Sequence, residues 1–203
     1  MHVRELARYT DTEVLAEDVL ICLHEAGIPY LDWLLGGPDI ALPLLAARLR
    51  NPKSEISIRD ATALFDSSEQ LIGVYIALPG DELARRRKAD AIAYVQNTAR
   101  AERAQLIARM QASRSLFAPV EPDEFYLSKV GIRPGARGLG HGRILLDHFL
   151  ASGQAQGLRR FALDVSKSNI GAIRLYESRG LQVVSSSNVP GTGMAYLRMR
   201  LKI

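Results

Sequence analysis

Three alternating glycines, Gly138, Gly140 and Gly142, separate a strand-like run from an amphipathic run in the segment 125–146, FYLSKVGIRPGARGLGHGRILL. Lacking a Cβ, they let backbone amides approach an anion. A helix starting there adds the unpaired N–H groups and the positive dipole end of its first turn. Arg137 adds a fixed charge at the mouth. This pattern makes a phosphate cradle, although the same glycines also suit a tight turn that holds no ligand.

The kind of phosphate ligand is narrowed by what is missing. A nucleotide triphosphatase loop needs G-x-x-x-x-G-K-[ST], and no Lys-Ser or Lys-Thr follows these glycines. A dinucleotide fingerprint starting at Gly138 needs its third glycine where Arg143 stands, although Asp164 sits about where a ribose-binding acid belongs. Four scattered histidines and the single Cys22 give no metal-ligand spacing, so no metal is expected.

Two blocks match a known family. Arg137-x-x-Gly140-x-Gly142 resembles the Q/R-x-x-G-x-G/A signature of the GNAT superfamily of N-acetyltransferases, and Val130-Gly131-Ile132-Arg133-Pro134 resembles its V-x-P strand end. Asn169-Ile-Gly-Ala172-Ile-Arg-Leu175-Tyr176-Glu-Ser-Arg-Gly180-Leu181 is similar to the family's N-x-x-A-x-x-L-Y-x-x-x-G-F segment, with Leu181 replacing the final Phe. The spacing makes physical sense: Asn169 can cap a helix, and Tyr176 returns to nearly the same azimuth seven residues on.

The resemblance implies acetyl-coenzyme A as co-substrate. It places the pyrophosphate on Arg137, Gly138, Leu139, Gly140, His141, Gly142 and Arg143. Val130 and Ile132 would meet the pantetheine arm and the thioester carbonyl, and Asn169, Ala172 and Tyr176 would flank the arm. A substrate amine would attack the thioester directly in a ternary complex, with Tyr176 as general acid to the departing thiolate. The acceptor would be a primary amine of a small molecule or a protein. The general base is not supplied by the motif: where some members carry a strand glutamate, this chain has Ser128 and Lys129. Glu121, Asp123 and Glu124 are the candidates, with Asp32 a weaker one. A base matters most for a lysine-like amine, whose deprotonation at pH 7 costs about 4.6 kcal/mol. Cys22 has no counterpart among family nucleophiles and reads as packing. The alternative is a degenerate relative that binds an acyl-coenzyme A in a regulatory role without turnover.

These residues must be positioned by a fold, and the composition permits one. The chain has 203 residues, 47% hydrophobic and 24% charged, enough to bury the core of one domain. Hairpin-like runs at 61–65 and 71–78 are followed by strands at 125–132, 160–165, 182–186 and 195–202, with helices at 142–154 and 170–179. A first strand is expected at 3–9, then a helix to 25 capped by Asp11 or Thr12, then short helices broken by Gly36, Gly37, Pro38 and Pro43. The expectation is an α/β (α+β) domain over 1–203: a central mixed, mostly antiparallel sheet of about six or seven strands, flanked by helices in three layers, as in the GNAT fold. A long helix over 82–114, within an insertion at about 80–118, departs from the minimal family pattern. Substrate selection or contact with a second subunit are its candidate roles.

Net charge is +4, concentrated in that insertion: 81–114 holds 8 Lys/Arg against 4 Asp/Glu, leaving 18 of each elsewhere. Such a run, centred on Arg85-Arg86-Arg87-Lys88, reads as a solvated helix face or as an anionic partner's footprint. It lacks aromatic interleaving, which weighs against nucleic acid. The N-terminus carries charges where a signal peptide needs an apolar stretch, and the most apolar region, 28–49, is broken by charges and prolines. A reducing cytoplasm is the expected compartment, with no membrane partner.

Overall fold

The structure is a computed structural model that describes residues 1–8 and 13–203; the cap sought at Asp11 or Thr12 lies outside them, as does Tyr9, and the strand expected over 3–9 ends earlier, at Glu5, where Leu6–Arg8 form a 3-10 turn. Seven strands form one sheet: β1 (His2–Glu5), β2 (Ala61–Phe65), β3 (Leu71–Pro79), β4 (Glu124–Ile132), β5 (Arg160–Ser166), β6 (Gln182–Asn188) and β7 (Ala195–Lys202). Their order is β1-β2-β3-β4-β5-β7-β6, antiparallel except for β4 beside β5. The mixed, mostly antiparallel sheet expected from the sequence is therefore present.

The alternation of β4 shows how the sheet divides its residues. Phe125 and Leu127 face α6 (His141–Ala155) and α7 (Ile170–Glu177), where Phe125, Phe149 and Phe161 pack with ring centroids 5.1 to 6.4 Å apart. Tyr126 faces the opposite layer, built from α1 (Glu13–Gly27), α2 (Tyr30–Leu35), α3 (Pro38–Leu49) and α4 (Gly80–Asn97). On that face α1 presses on β4 at Gly131, where an added Cβ would stand 2.1 Å from the Cys22 carbonyl oxygen. Only glycine permits that backbone approach.

Two features of the strands matter for function. Pairing of β3 with β4 shifts between Ile76 and Ala77, which leaves Ser128 as an extra residue opposite neither. A bulge of this kind re-aims side chains, and here both Ser128 and Lys129 turn toward the α1 to α4 layer. In addition, β4 pairs with β5 only from Glu124 to Leu127, so the two strands part at the bulge.

The helical insertion departs from the expected single helix. It consists of α4 and a separate α5 (Arg103–Ala112). The chain turns at Thr98, whose backbone and hydroxyl both donate to the Tyr94 carbonyl (3.0 and 2.8 Å), while Asn97 Nδ2 donates to Ala93. Side chains that compete for helix carbonyls end helices without any Gly or Pro, and periodicity alone does not register them. Because of the break, α5 folds back beside α2 and α4. The segment after it is fastened to the sheet: Ser187 Oγ donates to the Leu116 carbonyl, and Arg198 donates to the carbonyls of Ala118 (2.6 Å) and Pro119 (3.3 Å). No helix among the described residues is long and apolar enough to cross a membrane.

Candidate active site

The glycine loop leaves its amides open. Gly138 and Gly140 have φ of 76° and 83°, a region that L side chains avoid, and an added Cβ at either would meet nothing within 4 Å. Among the described residues no acceptor engages the amides of Gly138, Leu139, Gly140 or His141, and these groups lie at the N-terminus of the fifteen-residue α6. The geometry is that of an anion site formed by backbone N–H groups and the helix dipole. Gly142 serves packing as well, since a Cβ there would press on Leu175 Cδ2 at 3.3 Å. That contact sets the start of α6 against α7 and brings the two sequence blocks together.

Side chains of the loop play different parts. Arg137 is half exposed, donates from Nε to the Ile132 carbonyl (3.1 Å) and pairs with Glu25 on α1 (3.0 Å). Its charge is therefore partly neutralised. His141 is buried, and its Nδ1 lies 2.9 Å from the Ala136 carbonyl, to which it donates. The imidazole staples the loop internally, so His141 can reach an anion only through its backbone amide. Leu139 and Arg143 are exposed.

Where β4 leaves β5, its edge is open. The Arg133 amide donates to Ile72 on β3; successive amides of a strand point to opposite sides, so those of Val130 and Ile132 face the gap. Across it, Asn169 caps α7 by accepting from the Ala172 amide (3.1 Å). Tyr176 is buried, and burial alone, with no hydrogen bond among the described residues, acts on its hydroxyl. Burial pushes its pKa up to about 12, so it keeps its proton throughout the neutral range.

The carboxylates singled out in the sequence stand elsewhere. Glu124 is buried at the start of β4, held by Arg200 (2.7 Å) and Arg160 (3.7 Å), and it accepts from the Glu121 amide (2.9 Å). Glu121 is exposed, and Asp123 pairs with Arg160 at 3.0 Å. None of the three lines the cavity described next, because the residues that reach it lie at the bulge, not at the strand's start. Asp32 pairs with His24 at 2.6 Å. Asp164, which resembled a ribose-binding acid, is buried between Arg198 (2.8 Å) and the Tyr126 hydroxyl (2.7 Å). Cys22 is buried, with burial first and then Asp18 pushing its pKa up to about 11, so it is no nucleophile. Among the described residues no group of three or more His, Cys, Asp or Glu is placed to hold a metal ion.

A cavity of about 400 Å³ lies between the bulge of β4 and the helices of the opposite layer. At its floor Ser128 Oγ donates to Glu55 Oε1 (2.5 Å), Arg87 grips the same carboxylate (3.0 and 3.4 Å), and Lys129 stands beside them. Burial opposes ionisation of Glu55, but Arg87 and Lys129 outweigh it and hold its pKa below the usual value. For Lys129, burial pulls the pKa down, Glu55 pulls it up and Arg87 pulls it down again; the net shift is downward. Asp90 is buried as well, bonded to Ser54 Oγ and the Glu55 amide (both 2.8 Å), and burial raises its pKa. Glu55 belongs to no motif. The signal that could have found it was the polar pair Ser128-Lys129 interrupting an otherwise apolar strand.

The basic run also changes meaning. Arg86 is half-buried against Asp60 and Glu82, Arg87 reaches into the cavity, and Arg85 pairs with Glu82. Two of its four cations are thus engaged inside, not displayed on a solvated face.

Comparison with known proteins bears on the family and the fold. The model of the acetyltransferase (GNAT) family matches residues 61–181. No curated protein sequence matches the chain. Solved structures with the same fold include an acetyltransferase (21% identity, TM-score 0.65, all of both chains covered) and an N-acetyltransferase from Staphylococcus aureus Mu50 (16%, 0.68, 99% of this chain and all of the other). A ribosomal-protein-alanine N-acetyltransferase from Brucella melitensis is also similar (16%, 0.61, all of both chains).

Proposed function

We propose that this chain, which belongs to the acetyltransferase (GNAT) family and is an N-acetyltransferase, passes an acetyl group from acetyl-coenzyme A to a primary amine by direct attack in a ternary complex. One observation carries the reading: a single strand, β4, ends in a loop of open amides, exposes the Val130 and Ile132 amides where it leaves β5, and turns Ser128 and Lys129 into a cavity on its other side.

The residues present fit the coenzyme. The amides from Gly138 to Gly142, with Arg137 beside them, suit a pyrophosphate, and the gap suits an extended arm that pairs with β4 and passes Asn169 and Ala172. When bound, acetyl-coenzyme A supplies an activated thioester. The Ile132 amide would donate to its carbonyl, and the Tyr176 hydroxyl to the departing sulfur. An ordinary thiol has a pKa of about 8.5, so the acid contributes ~10² or less.

Lys129 takes the place of the missing strand carboxylate as proton acceptor for the amine. Glu55 is a poor base because Ser128 and Arg87 occupy its oxygens and depress its pKa. A buried lysine with a lowered pKa is better matched to an amine.

The test is thiol release on mixing the protein, acetyl-coenzyme A and a panel of primary amines. Amine-dependent release that requires Lys129 is expected. Coenzyme binding with no release for any amine would overturn the enzymatic reading in favour of a degenerate binding module.

A further inference from the structure

We infer that the acceptor is a small monoamine with an aromatic or branched apolar body and no second positive charge, taken whole into the cavity and not presented on a polypeptide. The inference rests on the reading of the cavity as the acceptor site, and the shape of its rim carries it first. Tyr30 on α2, Phe117 in the segment after α5, and Tyr196 on β7 pack edge to face, with centroids 5.1 Å (Tyr30 to Phe117), 5.4 Å (Phe117 to Tyr196) and 6.3 Å (Tyr30 to Tyr196) apart. They bridge the helical layer to the sheet across the cavity. The backbone that carries Phe117 is fixed on both sides by the bonds from Ser187 and Arg198. A polypeptide needs a path out of the cavity for the rest of its chain, and the three packed rings on the lining narrow that path. About 400 Å³ is a small-molecule volume.

The walls give the chemistry of the body. Tyr94, Met110, Leu34 and Ile56 line the cavity with the rim aromatics, so an apolar or aromatic group gains from burial there, about 25 cal/mol per Å².

Charge bookkeeping excludes a second cation. Each carboxylate of the lining has its own arginine: Glu55 has Arg87 (3.0 Å), Asp90 has Arg48 (3.4 Å), and Asp164 has Arg198 (2.8 Å). What remains on the lining is positive, namely Lys129 and the exposed Arg114, which forms no ion pair among the described residues. A guanidinium or a second ammonium would find no unmatched carboxylate and the like charge of Arg114, joined by Lys129 whenever that residue holds its proton. The reacting amine itself is accommodated because it must lose its proton to react.

The experiment compares kcat/KM, by thiol release at fixed acetyl-coenzyme A, for 2-phenylethylamine, isoamylamine, agmatine, spermidine and a peptide with N-terminal alanine. Coenzyme binding is checked by calorimetry on the same protein. The expected result is that the two apolar monoamines exceed the other three by ~10-fold or more. Arg114→Glu, an exposed position whose change leaves the core untouched, should then raise agmatine relative to 2-phenylethylamine by ~10-fold. Equal or better use of agmatine, spermidine or the peptide would overturn the inference while leaving acetyl transfer standing. Turnover of none of the five, with coenzyme bound, also overturns it. Loss of coenzyme binding itself would instead strike the underlying reading.

Discussion

Ser128 Oγ donates to Glu55 Oε1 at 2.5 Å, joining the bulge of β4 to the loop that follows α3. The two residues are 73 positions apart, and both line the cavity beside β4. Hydrogen bonds to a charged group contribute about 1.5–3 kcal/mol, and Arg87 would still hold Glu55 without the serine. Ser128→Ala should therefore cost about 1–2 kcal/mol, read as a lower urea midpoint at unchanged slope. An unchanged midpoint would mean that the bond contributes nothing in solution.

Lys129 should govern the pH dependence. Burial pulls its pKa below the usual lysine value and Arg87 from α4 adds to that, while Glu55 from the loop and Asp164 from β5 oppose it without reversing it. The rate kcat/KM should rise with pH as Lys129 loses its proton. Glu55→Gln removes the neighbour that favours the charged form, so the rise should move to lower pH. Lys129→Met should leave only the rise set by the amine's own proton, insensitive to Glu55→Gln, and cut kcat by ~10²-fold.

The same shift predicts a change in stability. Between the folded pKa of Lys129 and 10.5 the unfolded chain binds more protons, so stability should increase with pH across that window. Below the folded value both states are protonated and the penalty is fully present. Denaturation series from neutral to alkaline pH should show this increase in the wild type and lose it in Lys129→Met.

Tyr176 holds its proton up to about 12, so it is a donor at every working pH. Tyr176→Phe should lower kcat by ~10² or less and leave coenzyme affinity in place. Equal activity in the variant would remove the hydroxyl from the mechanism.

In the loop, the backbone should matter more than the arginine. Gly140→Ala forces a side chain onto φ of 83°, a strain of about 1–2 kcal/mol, in the loop proposed to hold the coenzyme. Arg137 already shares its charge with Glu25 at 3.0 Å, and exposed pairs contribute about 0–1 kcal/mol. Coenzyme affinity should fall by ~10-fold in Gly140→Ala and only a few-fold in Arg137→Ala, compared by calorimetric titration.

The sheet and the cradle were legible because their signals are local. Apolar runs on either side of a polar turn marked β2 and β3, and Arg137 to Gly142 carry their pattern in six consecutive residues. The floor of the cavity was not, since Glu55, Arg87 and Lys129 meet only through tertiary packing and a bulge that leaves no mark in a strand's composition. The carboxylates near β4 in sequence, Glu121 and Glu124, do not reach that cavity for the same reason. Sequence proximity places them at the strand's start, whereas the strands part three residues beyond Glu124. The break between α4 and α5 was hidden because Asn97 and Thr98 end the helix through side-chain bonds, not through a residue that forbids it.

The central claim is that the loop and the open edge of β4 hold acetyl-coenzyme A. Calorimetric titration of the purified protein with acetyl-coenzyme A, beside NAD and ATP, tests it most directly. Saturable binding of the coenzyme alone, weakened in Gly140→Ala, is the expected result. Binding of NAD or ATP in its place, or of none of the three, would contradict the assignment of residues 130–143 as the donor site.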